Sequence, residues 1–327
     1  MYAPMRWLPL LAALGAGQDE GGEGAETQLL QLSLHTQLVQ PQAVVEYPRR
    51  DLAFAHVPYN FGHTVEEVAF AGSGNLFSYL TAMAIGDAPV STILPSARQL
   101  NLLEAAMQPQ GEIWGHLYPS LHVVSNVTGC PLYFTPGKHW PRDIAESYFS
   151  NKQIFGLLRD PYERLVAMFR GGVSGYGGNF AEELKTCDVD SAVRKMMLQY
   201  LSGDIYAEGC TFLPQAEFFD PPFGITVPVD NRWFPDTAND VLAKHGYTNM
   251  RIATEDIIHV FNCNEVWAGD LSCDTKALVR EVYARDFELL CKFFGYCDVH
   301  ENVCLQKVPL MCPRNMSQKL QTASRCT

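Results

Sequence analysis

The chain has 327 residues, 47% of them apolar and 18% charged, which supports a sizeable core and lacks the signature of disorder. Its formal charge is −12 and no long basic run breaks the acidic background, which argues against wholesale nucleic-acid binding. An anionic ligand would have to meet a local basic pocket.

At the N-terminus, Met1 to Arg6 carries one positive charge, Trp7 to Ala16 is apolar, and Gly15-Ala16-Gly17 supplies small residues. This pattern predicts a signal peptide over residues 1–17. A short uncleaved anchor and a helix that merely packs are the alternatives, and the apolar run is too short to span a bilayer by itself. No other segment approaches transmembrane length. A Gly-, Glu- and Gln-rich linker over 18–29 begins an N-terminal extension that runs to residue 49.

Leu52 to Pro58 reads as a first strand, followed by the loop Tyr59-Asn-Phe-Gly-His-Thr64 and a helix starting at Thr64, with acids Glu66 and Glu67 in its first turn. Glu112 to Leu117 and Gly224 to Val229 read as short strands. Ile154 to Leu158 is a continuous apolar run, as expected of a buried parallel strand. An Arg159-Asp160-Pro161 corner follows, with Asp160 suited to an N-cap and Pro161 to a first turn. Leu165, Val166 and Phe169 give the next helix one buried face. Further helices are expected over 142–150, 188–201 and 236–245, and the clearest over Asp274–Phe294, stopped by Gly295. Strands alternating with helices predict an α/β fold with a central, mostly parallel sheet.

Ten cysteines, an even number, include seven after residue 260, and no Cys-x-x-Cys pair occurs. The spacings are too irregular for a zinc site, so disulfides in an oxidising lumen are expected, with pairing open and no metal. They would pin a cysteine-rich tail over 298–327. Asn126-Val-Thr128 and Asn315-Met-Ser317 are glycosylation sequons that agree with secretion.

Arg159 stands at the carboxyl end of a strand, where open α/β sheets bind ligands. A guanidinium there suits a phosphate or another oxyanion, or else a structural pairing with Asp or Glu. Strand, Arg-Asp-Pro-x-x-Arg-Leu-Val, an aromatic and a basic residue resemble the second nucleotide segment of carbohydrate-type, secretory-pathway sulfotransferases. Three other places are similar to that family. His56-Val-Pro-Tyr-Asn-Phe-Gly-His-Thr64 occupies the place of its phosphosulfate loop, Phe212-Leu-Pro-Gln-Ala-Glu-Phe218 resembles its Pro-Gln segment, and Val282-Tyr-Ala-Arg-Asp-Phe287 with Phe294-Gly-Tyr296 looks like its C-terminal helix. The order holds over roughly residues 50–297.

The resemblance implies a three-layer, P-loop-like fold and transfer of a sulfuryl group from 3′-phosphoadenosine 5′-phosphosulfate to a carbohydrate hydroxyl. The place implied is the Golgi lumen or the secreted space, without a stable membrane span. Tyr59, Asn60, Phe61, Gly62, His63 and Thr64 would cradle the donor and Arg159 its 3′-phosphate. His116, in Trp114-Gly-His-Leu117, is the first candidate base, with His63, Glu66 and His122 behind it; for each, a structural role is the other reading. The chain departs from the pattern at Tyr59, where the family has Lys, at Phe61, where it has Gly, and at Ala167, where a phosphate-binding Ser is usual. His63, Arg164 and Arg170 are the substitute cations on offer. Trp140, Trp233 and Phe234 are candidates for stacking on a sugar. Two readings therefore stand: an active sulfotransferase, and an inactive relative that binds a glycan or nucleotide. A P-loop kinase or NTPase is disfavoured, because Gly-x-x-x-x-Gly-Lys-Ser/Thr is missing.

Overall fold

Three short apolar strands form the centre of the chain: β1 (Leu52–Phe54), β2 (Gln153–Leu158) and β3 (Val227–Asp230). They come from a computed structural model that describes residues 50–71, 112–171, 180–258, 262–323 and 326. The expected signal peptide and most of the N-terminal extension lie outside those residues. Both pairings are parallel, in the order β1-β2-β3, with Phe54 opposite Phe155 and Leu157 opposite Val229.

Parallel strands need both faces covered, and the side-chain alternation provides for this. Leu52, Phe54, Phe155, Leu157 and Val229 face one cluster, which also takes in Val65 and Ala69 of helix α1 (Gly62–Ala71). Ala53, Ala55 and Ile154 face another, which holds Ala145, Tyr148 and Phe149 of α2 (Arg142–Phe149). A third core joins α3 (Pro161–Gly171), α4 (Ala181–Thr186) and α5 (Val189–Leu201) to the C-terminal helices. Asp188 caps α5 by accepting from Ser191 N–H, and α6 (Asp236–Lys244) packs beside β3.

Two expected elements differ. Residues 112–117 form no strand; Gly115–Leu117 is a 3₁₀ turn, because Gly115 takes φ 51°, which no strand accommodates. The long C-terminal helix is two helices, α7 (Cys273–Val282) and α8 (Ala284–Phe294), broken at Tyr283. That buried ring anchors the break, and its hydroxyl donates to the Phe212 carbonyl at 2.8 Å. Gly295 ends α8 in the left-handed conformation, as expected of a C-cap glycine.

The four segments that carried the resemblance meet at one side chain. Gln215 Oε1 accepts from Arg159 N–H (2.9 Å) and Asn60 Nδ2 (2.6 Å). Its Nε2 donates to Arg159 O (2.7 Å) and Asp286 Oδ2 (3.1 Å). Asp286 of α8 in turn accepts from the Gln215 and Ala216 backbone N–H groups. A side-chain amide thus takes both backbone groups of Arg159 just where β2 ends.

All ten cysteines are paired: Cys130–Cys210, Cys187–Cys263, Cys273–Cys326, Cys291–Cys297 and Cys304–Cys312. The first two close the longest loops and restrict the unfolded chain most, by about 4 kcal/mol each on a chain-entropy view. The C-terminal residues join the core: Leu305, Val308 and Met311 pack into the cluster on the first sheet face. Leu305 N–H donates to Glu163, and Arg170 binds the carbonyls of Val266, Leu310 and Met311. Asn126 and Asn315, the sequon asparagines, are exposed. Among the described residues no helix is long and apolar enough to cross a membrane.

Replacing Gln215 by Leu leaves both buried backbone groups of Arg159 without partners. At about 1–3 kcal/mol for each orphaned group, the variant is expected to lose about 3 kcal/mol or more, read as a lower denaturation midpoint with an unchanged slope.

Candidate functional site

The residues singled out from the sequence fall into two neighbouring places: the corner around Arg159, and a histidine cluster at the head of α1. The loop between β1 and α1 follows a constrained path. Tyr59 and Phe61 both adopt positive φ (66° and 60°), a conformation that costs a non-glycine residue about 1–2 kcal/mol. Packing offsets that cost. The Phe61 ring, 7% exposed, stacks on Phe234 with centroids 4.9 Å apart and belongs to the sheet core. Burying such a ring contributes about 2 kcal/mol.

The same ring covers the corner at Arg159. The Arg159 guanidinium carbon lies 4.9 Å from the Phe61 centroid, and the residue is 2% exposed. Its Nη1 donates to the Tyr59 carbonyl at 2.6 Å, and its Nε faces Glu163 Oε2 at 3.4 Å. Burial lowers the Arg159 pKa from its ordinary value, a cost that neighbouring Glu163 opposes. Arg159 is therefore engaged through Nη1 and Nε, as in the structural pairing open at the sequence level, while its buried Nη2 has no hydrogen-bond partner.

The remaining loop side chains are also committed. Asn60 Nδ2 donates to Leu157 O at 2.6 Å as well as to Gln215, and Thr64 Oγ1 accepts from Ile258 N–H at 2.9 Å. The Tyr59 ring packs on Gly171, where a Cβ would meet it at 2.6 Å. Neither substitute arginine reaches the loop as a free cation. Arg164 donates to the carbonyls of Pro58, Thr211 and Leu213, and Arg170, its pKa lowered by burial to about 10, binds the C-terminal segment. Ala167 packs against the sheet core.

The second place brings together three of the four candidate catalytic residues, His63, Glu66 and His116. Glu66 is fully buried on α1, one turn after His63, and its carboxylate receives three imidazoles. His56 Nδ1 lies 2.5 Å from Oε1, His63 Nδ1 lies 3.4 Å from Oε2, and His116 Nδ1 contacts Oε2. His116 N–H also donates to Oε1 at 3.1 Å. Two glycines permit this crowding. A Cβ on Gly62 would meet the His56 ring at 2.6 Å, and one on Gly115 would overlap Glu66 Oε1. Gly115 N–H donates to the Tyr148 hydroxyl, which donates on to Phe54 O, and this ties the His116 turn to β1.

Desolvation drives all three imidazoles toward the neutral form, most strongly at the enclosed His56 and His116, while the His63 side chain stays 40% exposed. His56 and His116 fall well below the ordinary histidine value and His63 falls to about 4. Neutral imidazoles beside a carboxylate can accept a proton from a hydroxyl, or hold a metal ion. His122 stands outside, exposed, bound to the His116 carbonyl at 2.6 Å. Sequence reading missed His56, which it took for the end of an apolar strand. The signal was the row of polar residues His56, His63 and Glu66, which flanks the loop and meets once a strand-to-helix turn folds it back.

Of the candidate stacking residues, Phe234 is buried and Trp140 half-buried. Trp233 is 51% exposed, with Nε1 donating to the Tyr296 hydroxyl at 3.1 Å. Arg232 lies over the Tyr296 ring at 3.6 Å and pairs with Glu301. No family model matches the chain, and no curated protein or solved structure matches it.

Two outcomes follow from this geometry. Gly115→Ala displaces Glu66 and is expected to lower thermal stability and alter the imidazole NMR signals, whereas Gly203→Ala, where a Cβ meets nothing, leaves those signals unchanged. Burial, with Glu163 nearby, raises the Asp160 pKa to about 7. The unfolded carboxyl ionises near ~3.9, so between these values the folded chain holds a proton that the unfolded chain has released. Stability contributed there is lost as pH rises through that window. Asp160→Asn, which keeps the cap to Glu163 N–H (3.1 Å), should match wild type at pH 4 and melt higher at pH 8.

Proposed function

We propose that this chain is a sulfotransferase-like protein of the secretory lumen that has lost the use of the sulfuryl donor and acts by binding carbohydrate. The observation that carries this is the Phe61 ring over Arg159. The guanidinium expected to hold the 3′-phosphate is capped by an aromatic side chain and bonded to the Tyr59 carbonyl. A phosphosulfate loop works by presenting free backbone donors and a cation to the leaving phosphate. Here Tyr59 stands at the lysine position, and Arg164 and Arg170 are bound to carbonyls elsewhere.

The family assignment is supported by the physical meeting of its four sequence segments at Gln215 and by the parallel sheet with helices in the crossovers. The lumenal setting is supported by five disulfides and two exposed sequon asparagines. Carbohydrate binding rests on Trp233, whose exposed indole is held by Tyr296 and carries the Lys307 ammonium over one ring face at 5.4 Å, with Arg232 and Glu301 paired at the neighbouring Tyr296. An aromatic face beside hydrogen-bonding groups suits a sugar ring.

One observation favours the active enzyme as a second reading. His116 meets the buried Glu66 at the head of α1, as a general base oriented by a carboxylate should.

Calorimetry with 3′-phosphoadenosine 5′-phosphate separates the two. The closed corner predicts no heat at millimolar nucleotide, together with no transfer of labelled sulfate to a panel of glycans. Micromolar binding would overturn the inactive reading, and transfer abolished by His116→Ala would establish the enzyme.

A further inference from the structure

We infer that His56, His63, Glu66 and His116 form a binding site for one divalent transition-metal ion, with zinc the best match to the donors. No metal was expected from the sequence, because the cysteine spacings gave no zinc pattern. The site is instead assembled from three separate segments: the end of β1 supplies His56, α1 supplies His63 and Glu66, and the 3₁₀ turn supplies His116.

Each of the four residues offers one ligand atom, and all four atoms lie within 4.8 Å of one another. In a tetrahedral zinc shell with bonds of ~2.0–2.1 Å, the ligand atoms stand about 3.4 Å apart. The separations from His63 Nδ1, 3.0 Å to His116 Nδ1 and 3.4 Å to Glu66 Oε2, are near that size, whereas His56 Nδ1 lies 2.5 Å from Glu66 Oε1 and His116 Nδ1 is closer still to Oε2, so those two contacts must open to admit the ion. His63 and Glu66 are spaced i, i+3, which sets both on one face of α1. Three imidazoles and one carboxylate favour zinc and its first-row neighbours over magnesium or calcium, which prefer oxygen.

A second observation points the same way. Glu66 Oε2 is sealed from solvent and takes no hydrogen bond, although two imidazole nitrogens crowd it outside hydrogen-bonding geometry. Every ion-pair partner of Glu66 among the described residues is a histidine, so its charge meets no lysine or arginine. A buried carboxylate in that position is stabilised by a cation placed between it and the rings. The outer contacts suit a metal centre as well. Glu66 Oε1 is held by His116 N–H, and the Gly115 backbone is held by Tyr148, so the ligands are oriented from behind. His63, with a side chain 40% exposed, gives the ion its route from solvent.

The assignment rests on the inactive reading above, since a metal on His116 Nδ1 would replace the Glu66 contact that orients the ring as a general base. Full-length protein with its disulfides intact is stripped with a chelator and titrated with Co²⁺, then with Zn²⁺ in competition. The expected result is one equivalent of Co²⁺ per chain, with the intense visible bands of a four-coordinate site that Zn²⁺ abolishes. His63→Ala, at a partly exposed position where folding should survive, should weaken Co²⁺ binding by about tenfold or more. His245→Ala, at a histidine paired with Asp51 elsewhere, should leave it unchanged. Wild-type protein without the bands, or His63→Ala with undiminished affinity, overturns the site. Nucleotide binding by the stripped protein in the calorimeter would instead sink the inactive reading, so the two failures are distinguishable.

Discussion

The Gln215 side chain is the contact on which the arrangement of this protein depends. A primary amide has one acceptor and one donor edge, the same pair that a backbone residue offers, so it continues the β2 ladder by one step. It also reaches Asn60 in the β1–α1 loop and Asp286 in α8. Four segments far apart in the chain are thereby held in one register. Buried amides satisfied on every side are stringent, because a small displacement of any partner leaves a polar group without water or protein. That stringency keeps the loop from Tyr59 to Thr64 on its path even though Phe61 takes a backbone conformation better suited to glycine.

A glycine-lined loop leaves room for an anion at the helix head. Here the loop between β1 and α1 carries an aromatic ring that turns inward, stacks on Phe234 and shields Arg159. The arginines of α3 follow the same logic. Arg164 and Arg170 are buried and spread across carbonyls that would otherwise lack donors. They stabilise the junction of the loop, the Pro-Gln segment and the tail, and are not available to meet a phosphate. Beside this closed corner, polarity is concentrated at the other flank of α1, where Glu66 is ringed by His56, His63 and His116.

Much of the architecture was legible along the chain because it rests on local rules. The apolar run before Arg159, the Asp160-Pro161 helix start, the helix after Asp188 and Gly295 as a stop all appear as written. Misreadings arose where a tertiary contact overrode the pattern. Residues 112–117 read as a short apolar strand-like run, but Trp114 is drawn into the core while Gly115 bends the chain so that His116 can reach Glu66. The 273–294 stretch has a continuous helical face, yet the buried Tyr283 is pulled toward Phe212 and breaks it in two.

By itself the sequence determined the α/β class, the strand–corner–helix around Arg159, the use of cysteines as disulfides, and the candidacy of His63, Glu66 and His116. These follow from hydrophobic period, capping chemistry and residue type, all of which act over a few neighbours. Only the tertiary structure decided which cysteines pair, that Arg159 is covered rather than open, and that His56 joins the other histidines around one carboxylate. Those outcomes depend on where side chains from distant segments point once the strands pair. A phenylalanine that turns into the core covers the Arg159 guanidinium, and one that turned outward would leave it exposed.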